Sequence, residues 1–489
     1  MLLTSLITDL EYKLVKGDLH REAASIAYDS REAAANGVFV AISGFSVDGH
    51  RFIDKAIELG ATTIIVEKDV PISADVTVLQ VANTREALAR IAANFYHRPT
   101  EQMNLIGITG TNGKTSTTYF LKSIFEQTGT TLGIIGTIGT VIGDKVFQNK
   151  NTTPESLNLQ QIFAEMTQSD MKHCVMEVSS HALNLNRVAH SSFNTGIFTN
   201  LTPDHLELHR TMEEYFEAKA KLFDMTTDYN IINADDKYGR ILIDRLKDKE
   251  PKLLTYGIEQ EADIYATDIH YFSDYTTYTV NTPKGSISIK VNLPGMIYVY
   301  NSLAAIATAY ANQFSLQQIA EGIAAVDGIK GRLEVVYQDG DSKIIVDFAH
   351  TEDSLEKALT TIRPFAKGRI ILVFGVYASD GESGTEKRRA MAKVAATFAD
   401  FSVITSDNPK MQDNNLIIRE IIEGIEAYNG AYEAVVDRRD AIAFAIEISK
   451  KDDVILIAGK GHETTQIIGK TEFPFNEAEI VREIKSKTK

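Results

Sequence analysis

The segment "GTNGKTS" (110–116) lies between an apolar run, "MNLIGIT" (103–109), and a helical pattern, "KTSTTYFLKSIFEQTG" (114–129). A strand, then G-x-x-G-K-T, then a helix is an arrangement that holds phosphate. The glycines let backbone N–H groups face the anion at the helix N-terminus. The lysine reaches the β- and γ-phosphates, and the next hydroxyl holds Mg²⁺. The common form is G-x-x-x-x-G-K-[ST]; Gly107 supplies a glycine six places before Gly113, one place further back than that form has. Gly110, Thr111, Asn112, Gly113, Lys114, Thr115 and Ser116 are therefore expected to bind ATP, with Thr115 on the metal. A GTPase would also need a guanine-reading N-K-x-D, which is missing; "DKYG" (236–239) has the D-x-x-G spacing only within an acidic turn.

"VMEVSSH" (175–181) ends a strand pattern on Glu177, and a carboxylate at such a place can hold Mg²⁺. "NLTPDHLELH" (200–209) sets His205 beyond another strand end, where a lone histidine would ordinarily be a surface residue. "EEYFEAKAKLF" (213–223) reads as a helix with two lysines. At about 3.6 residues per turn they point roughly 200° apart. Lys221, four places after Glu217, is expected to pair with it on a wet face. Lys219 falls on the stripe of Tyr215, Phe216, Leu222 and Phe223, where snorkelling to water is the ordinary fate of a lysine.

These groups need strands and helices to present them. The first hundred residues alternate strand patterns ("GVFVAI", 37–42; "TTIIVEK", 62–68) with helical ones (52–61 and 84–96), and "MLLTSLITDLEYKLV" (1–15) reads as an opening amphipathic helix. "HRPTEQ" (97–102) reads as a linker. Strand candidates follow in "TLGIIGTIG", "KHCVMEVSS", "TGIFTN" and "DYNIINADD". "TTYTVNTPKGSISIKVNLPG" (276–295) alternates as an antiparallel hairpin, and helices span 301–314 and 315–326, with Ser315 as an N-cap. After "GIKGRLEVV" (328–336) come "KIIVDFAH", "RIILVFG", "FSVITSDNP" and "DVILIAGKGH", continuous apolar runs of the kind buried on both faces of a parallel sheet. Their polar ends, Asp347, His350, Asp407, Asn408, Lys410, Lys460, His462 and Glu463, are expected on one rim.

The chain has 489 residues and a formal charge of −16, which disfavours sequence-independent binding to nucleic acid or anionic membranes. One cysteine, Cys174, cannot form an internal disulfide and fits a reducing cytoplasm; its apolar setting in "HCVMEV" points to packing. No run is long enough to span a membrane, and the start lacks the basic leader of a signal peptide.

In order, G-T-N-G-K-T, T-T-P-E (152–155), E-V-S-S-H-A-L (177–183), N-L-T-x-D-H-L (200–206), A-K-x-x-L-F (218–223) and N-A-D-D (233–236) resemble the Mur ligases. The resemblance extends through G-R-L-E-V (331–335), V-D-F-A-H-T-x-D-S-L (346–355), D-N-P (407–409) and G-K-G-H-E (459–463). It also reaches back to D-S-R (29–31), F-V-A (39–41) and D-G-H-x-F (48–52). Within that family the chain is most similar to the branch that adds the third residue of the peptidoglycan stem peptide. The resemblance implies an α/β fold of three domains, with a central P-loop ATPase-type parallel sheet and a C-terminal Rossmann-like domain. Boundaries are expected near 100 and 330, giving a UDP-sugar-binding unit (1–100), an ATP-binding unit (101–330) and an amino-acid-binding unit (331–489).

It further implies that ATP phosphorylates a carboxylate of UDP-MurNAc-L-Ala-D-Glu and that an amino acid's amine attacks the acyl phosphate. Lys114, Glu177, His205 and Lys219 would be catalytic; Thr115, Glu177, His205 and Lys219 would hold Mg²⁺. Lys219 would be N-carbamoylated (N6-carboxylysine), a modification that turns an ammonium into an anion and needs a neutral amine first, which burial favours. Asn301 would lie by the adenine, and Arg332, Asp347 and His350 around the nucleotide and reaction centre. Ser30, Ser43, Asp48, Gly49 and His50 would take the UDP end; Thr152, Thr153, Ser179 and Arg187 would take the muramoyl-dipeptide. Arg388, Asp407, Asn408, Lys410, Gly459 and Glu463 would meet the amino acid. The protein is expected to act as a monomer.

Some positions depart from the family pattern: Ile297 and Tyr298 for Phe and Asn, Phe348 for Tyr, Glu352 for Pro, and the long "GVYASDGESGTEKRRAM" (375–391). In that loop Lys387 and Arg388 match the family's later K-R, and an earlier arginine has no counterpart. Lys410 replaces the arginine of D-N-P-R, keeping charge and losing the bidentate fork. Glu463 suits meso-diaminopimelate, which is favoured here over L-lysine. A folylpolyglutamate synthase-like ligase, a divergent paralogue with another acceptor, and a non-catalytic nucleotide-binding regulator are the alternatives.

Overall fold

The computed structural model describes residues 1–44, 47–340, 342–379 and 381–487; Asp380 of the divergent loop lies outside them. Among the described residues three large sheets follow one another, and a two-stranded ribbon, Thr465–Ile468 with Thr471–Pro474, comes after the last strand of the third. The first has the order Lys13–Lys16, Thr77–Gln80, Ala61–Val66, Gly37–Val40, Ser25–Ala27, parallel except for its opening strand. The expected N-terminal helix shrinks to Leu3–Leu6. The Asn94 amide donates to the carbonyls of Leu6 and Thr8, Asp9 turns left-handed, and the chain leaves as a strand instead. The linker at 97–102 is a packed joint: His97 and Arg98 have positive φ, Pro99–Gln102 form a 3-10 turn, and Thr100 Oγ1 accepts from Ser192 N–H at 3.1 Å.

The central sheet has eleven strands. Its parallel body places Asn104–Thr109 between His173–Glu177 and Phe193–Phe198. Antiparallel hairpins extend both edges, Gly139–Ile142 with Lys145–Phe147 on one side and Thr276–Thr282 with Gly285–Val291 on the other. The sheet is thus mixed rather than purely parallel, since neither edge has a crossover helix to bury both faces. Glu177 pairs in register beside Ile108, and Phe198 beside Thr109, so the phosphate loop, Glu177 and the 200–209 segment emerge at one end. The helix Lys114–Gln127 packs against Met296–Ala311 and Leu316–Ala324, the latter opened by a capping box between Ser315 and Gln318. Asp236 of "DKYG" is the N-cap of Lys237–Leu246, accepting from Tyr238 and Gly239 N–H, a structural role.

The third sheet has the order Glu334–Asp339, Ser342–Asp347, Val454–Ala458, Ile370–Phe374, Phe401–Ile404, Tyr432–Ala434, with only the first strand antiparallel. Along Ile370–Phe374 alternate residues enter two different cores: Ile370, Leu372 and Phe374 one, Ile371 and Val373 the other. That explains the unbroken apolar runs. Asp347 and Phe374 both lie in register with Ala458, so the loops after these strands share one edge. At the entry to this domain Gly331 has φ +66, and a Cβ there would sit 2.2 Å from His462 N, so only glycine fits.

Beneath that edge Arg438, fully buried, donates Nε–H to Glu477 Oε1 (2.8 Å) and reaches the carbonyls of Ser406 and Ala458. Removing the cation leaves Glu477 buried and unpaired. Arg438→Met is expected to cost about 3–5 kcal/mol, read as a lower urea midpoint with an unchanged slope.

Candidate active site

Gly113 is the N-cap of the helix Lys114–Gln127, with φ +90; a Cβ there would stand 2.3 Å from Asn301 Oδ1. Glycine therefore both makes the turn and lets Asn301 approach. Lys114 Nζ donates to the carbonyls of Gly110 and Thr111, each at 2.9 Å. Thr115 Oγ1 donates to Glu177 Oε1 (3.0 Å), which also accepts Thr137 N–H (3.1 Å), while Glu177 Oε2 accepts Thr137 Oγ1–H (2.8 Å). From the third domain, Arg332 donates to Thr115 Oγ1 (3.2 Å) and stacks 4.6 Å over Phe348. A cleft of about 260 Å³ joins the phosphate loop, Glu177, His205, Asn301, Arg332, Asp347 and His350. The Asn301 amide nitrogen is buried without a partner, a donor left for a ligand. Asp347 gives both oxygens to backbone, to Leu333 and Ala349 N–H, so it shapes the loop that bears Phe348 and His350.

Lys219 is 2% exposed and donates to the Gly110 carbonyl at 2.8 Å, with Tyr215's ring 4.6 Å away. Burial, and then the nearby Lys114 ammonium, hold its pKa well below the ordinary lysine value. It does not snorkel. The expected Lys221–Glu217 pair does not form: the α-helix ends at Ala220 and tightens to a 3-10 turn at Lys221–Asp224. Glu217 takes Arg245 instead (2.8 Å), and Lys221 points to Asn184.

His205 sits in the left-handed region (φ 54) at the start of Leu206–His209, its Nε2 3.4 Å from Asp204 and its ring 4.9 Å from His181. Asp204 is the residue that sequence reasoning missed. Burial pushes its carboxyl up, yet His205, Lys387 and His350 together pull it well below the carboxylate range. Lys387 reaches it across the domain boundary at 3.4 Å and also donates to Tyr377 Oη (2.7 Å). Nothing in "NLTPDHLELH" distinguishes this aspartate from a surface acid; only the partner from the third domain does.

His350 Nδ1 donates to the Phe348 carbonyl at 2.7 Å; burial, then Lys387, pull its pKa to about 4. Burial, then Arg332, lower His462 to about 3. Unfolded, both take protons near pH 6.5. Between pH 6.5 and 4 the unfolded chain therefore binds more protons, and stability falls as pH is lowered. By pH 5 the two histidines should remove about 2 kcal/mol each, and His462→Gln should flatten the fall in melting temperature between pH 7 and 5.

A second cleft, about 680 Å³, opens in the first domain beside Ser30, Gly49, Phe52, Arg85 and Glu155. His50 is turned inward: one ring nitrogen meets Asp48 at 2.7 Å and the other accepts Glu67 N–H at 3.2 Å, so it braces the loop. Ser43 bridges Asp48 across that loop. Thr152 lies 3.3 Å from Thr137; Thr153 donates to the Glu177 carbonyl and accepts Ser179 N–H. Arg187 holds Glu155 (2.9 Å) and the Thr153 carbonyl (3.0 Å), and Arg85 of the first domain reaches the same Glu155 at 3.3 Å.

On the third domain's edge Asn408, Lys460 and Glu463 touch one another, and Gly459 must stay small because a Cβ would meet Asp407 Oδ2 at 2.6 Å. Lys410 is exposed with φ +50, its backbone tied to Ile467 and Gly469. Arg388 is not brought to the cleft. It is buried against Glu420 and the Ser379 carbonyl, and its neighbour Lys387 faces the reaction centre instead.

Three family descriptions match in succession: "Mur ligase family, catalytic domain" over residues 22–96, "Mur ligase middle domain" over 108–309 and "Mur ligase, glutamate ligase domain" over 331–461. The UDP-N-acetylmuramoyl-L-alanyl-D-glutamate–2,6-diaminopimelate ligase of Clostridioides difficile is 44% identical over 487 residues, covering 100% of both chains. That of Alkaliphilus metalliredigens is 43% identical, covering 99% of this chain and 97% of its own. The chain belongs to the Mur ligase family. A solved structure of a UDP-N-acetylmuramoyl-L-alanyl-D-glutamate–2,6-diaminopimelate ligase superposes with a TM-score of 0.70 at 26% identity, covering 100% of this chain and 99% of that one. A Mycobacterium tuberculosis folylpolyglutamate synthase shares the fold (TM-score 0.63, 15% identity) over 77% of this chain and 92% of its own. As a Mur ligase the protein is an ATP-dependent, amide-bond-forming ligase of three α/β domains.

The Mur ligase reading implies Mg²⁺, and the donors fit. Among the described residues no group of three or more His, Cys, Asp and Glu forms a ready metal cage. Mg²⁺ does not require one: it is commonly held by one or two carboxylates, a hydroxyl, water and the substrate's phosphates. Glu177 with Thr115 supplies the carboxylate and hydroxyl at the phosphate loop. No helix among the described residues is long and apolar enough to cross a membrane.

Proposed function

We propose that this Mur ligase adds meso-diaminopimelate to UDP-MurNAc-L-Ala-D-Glu in the cytoplasm, at the expense of ATP. The observation that bears most weight is full-length identity above 40% to diaminopimelate-adding ligases, together with Lys114, Thr115, Glu177 and Lys219 converging at one loop. In this reading the chain divides at about 100 and 330, and UDP-sugar, ATP and amino acid are bound by successive units.

In this reading the phosphate-loop N–H groups and Lys114 bind the triphosphate, with Asn301 at the adenine side and Arg332 over the phosphates. Thr115, Glu177, His205 and a carbamate on Lys219 would hold Mg²⁺, which when bound neutralises phosphate charge and draws two anions together. A substrate carboxylate oxygen attacks the γ-phosphorus; the bond to the β-phosphate oxygen breaks and ADP departs. The amino acid's amine then attacks the acyl carbon, phosphate leaves, and the amine gives up a proton. His350, neutral at physiological pH with Nδ1 tied to a carbonyl, keeps Nε2 as an acceptor for it. Ser30, Ser43, Asp48, Gly49 and His50 frame the UDP end; Thr152, Thr153, Ser179 and Arg187 face the dipeptide, for which Arg187 must leave Glu155.

The test is phosphate release from purified protein with ATP, Mg²⁺ and UDP-MurNAc-L-Ala-D-Glu, offering meso-diaminopimelate, L-lysine and L-glutamate in turn. Release dependent on diaminopimelate is expected. Release with lysine alone would overturn the amino acid, and none with any acceptor would overturn the ligase.

A further inference from the structure

Lys460 is an ammonium with no exposure at all, beside a cleft of about 1390 Å³ between the central and third domains. Burying a lone ammonium is costly, so its partners indicate what it does. Nζ donates to Glu463 Oε2 at 2.6 Å and to Asn408 Oδ1 at 3.1 Å. Asn408 Nδ2 closes the triangle on the same Glu463 Oε2 at 3.2 Å, and Asn408 Oδ1 also accepts Ile467 N–H at 2.9 Å. Asn408 and Glu463 both line the cleft; Lys460 does not.

The backbone around Lys460 is equally fixed. Gly459 and Gly461 flank it with φ +120 and +55, and Cβ atoms there would meet Asp407 Oδ2 at 2.6 Å and Phe348 Cβ at 2.8 Å. Gly459 N–H is held by the Asp347 carbonyl, and Glu463 N–H by the Lys460 carbonyl. A rigid buried cation thus grips Glu463 through one oxygen and Asn408 through its carbonyl. That orients the other Glu463 oxygen, an acceptor for an ammonium, and fixes the Asn408 amide beside it.

We propose that Lys460 is the positioning residue for amino-acid selection: it acts through Asn408 and Glu463, without touching substrate, to set the pair, the second Glu463 oxygen as acceptor and the Asn408 amide N–H as donor, that reads the incoming amino acid's charged groups. This deepens the ligase reading and rests on it.

The test measures KM for each substrate in Lys460→Met, which keeps the volume and removes the charge, and in Lys460→Gln, should the first fail to fold. The KM for meso-diaminopimelate should rise about tenfold or more, with the KM values for ATP and the UDP-substrate within about twofold of wild type. Combined with Glu463→Gln, the loss should be far from additive, because both changes disable one unit. Equal rises in all three KM values, an unchanged diaminopimelate KM, or additive losses would each overturn the proposal. A wild-type enzyme silent with every amino acid overturns the ligase reading itself, and this proposal with it.

Discussion

Lys219→Met is expected to fold and to lose turnover by roughly three orders of magnitude. The side chain is 2% exposed and reaches the Gly110 carbonyl, the first residue of the phosphate loop. Burial and Lys114 favour its neutral amine, the form that adds carbon dioxide, and the resulting carbamate would place an anion near the Lys114 ammonium. Methionine fills the volume and cannot make that anion. Lys219→Ala should be equally inactive but leaves space beside Tyr215, so formate or acetate should restore part of the activity. Lys221→Ala, on the 3-10 turn beside Asn184, should stay within about twofold, as surface changes generally do. Steady-state phosphate release with a carboxylate titration reads all three. Equal losses at 219 and 221, or no rescue at any carboxylate concentration, would remove the carbamate from the mechanism.

The parts of this architecture that were legible in the sequence are those written locally. The phosphate loop is a turn set by glycines, and the third-domain strands are continuous apolar runs because alternate residues feed two cores. Glu177 was visible because it ends a strand next to that loop in register. What stayed hidden depends on partners distant in the chain. Asp204 is ordinary until Lys387, 183 residues on, meets it. Lys387 and Arg388 are adjacent letters, but on a helix they point about 100° apart, and the choice of which faces the cleft belongs to packing against Glu420. The first helix ended early because an asparagine 88 residues away took the Leu6 carbonyl. The Lys221–Glu217 pair failed for a subtler reason, a change from α to 3-10 geometry within the pair's own span.

Glu177→Gln is expected to leave stability nearly unchanged and to lower turnover by two to three orders of magnitude. The amide can satisfy every bond the carboxylate makes. Its oxygen at the Oε1 position still accepts Thr115 Oγ1–H and Thr137 N–H, and its nitrogen at the Oε2 position can donate to Thr137 Oγ1, whose hydroxyl rotates to accept. Gly136, where a Cβ would lie 2.5 Å from Glu177 Oε1, leaves space for an unchanged side chain. What disappears is the negative charge beside Thr115, and with it the carboxylate that would hold Mg²⁺ against the triphosphate. The Mg²⁺ concentration for half-maximal rate should therefore rise along with the fall in rate, while the melting temperature stays within a few degrees. Glu177→Ala, by contrast, strands the buried Thr115 hydroxyl and the half-buried Thr137 donors and should lower both stability and rate. A Gln variant with wild-type Mg²⁺ dependence and wild-type turnover would mean that Glu177 only braces the two threonines, and the metal would have to be sought at Asp204 and His205 instead.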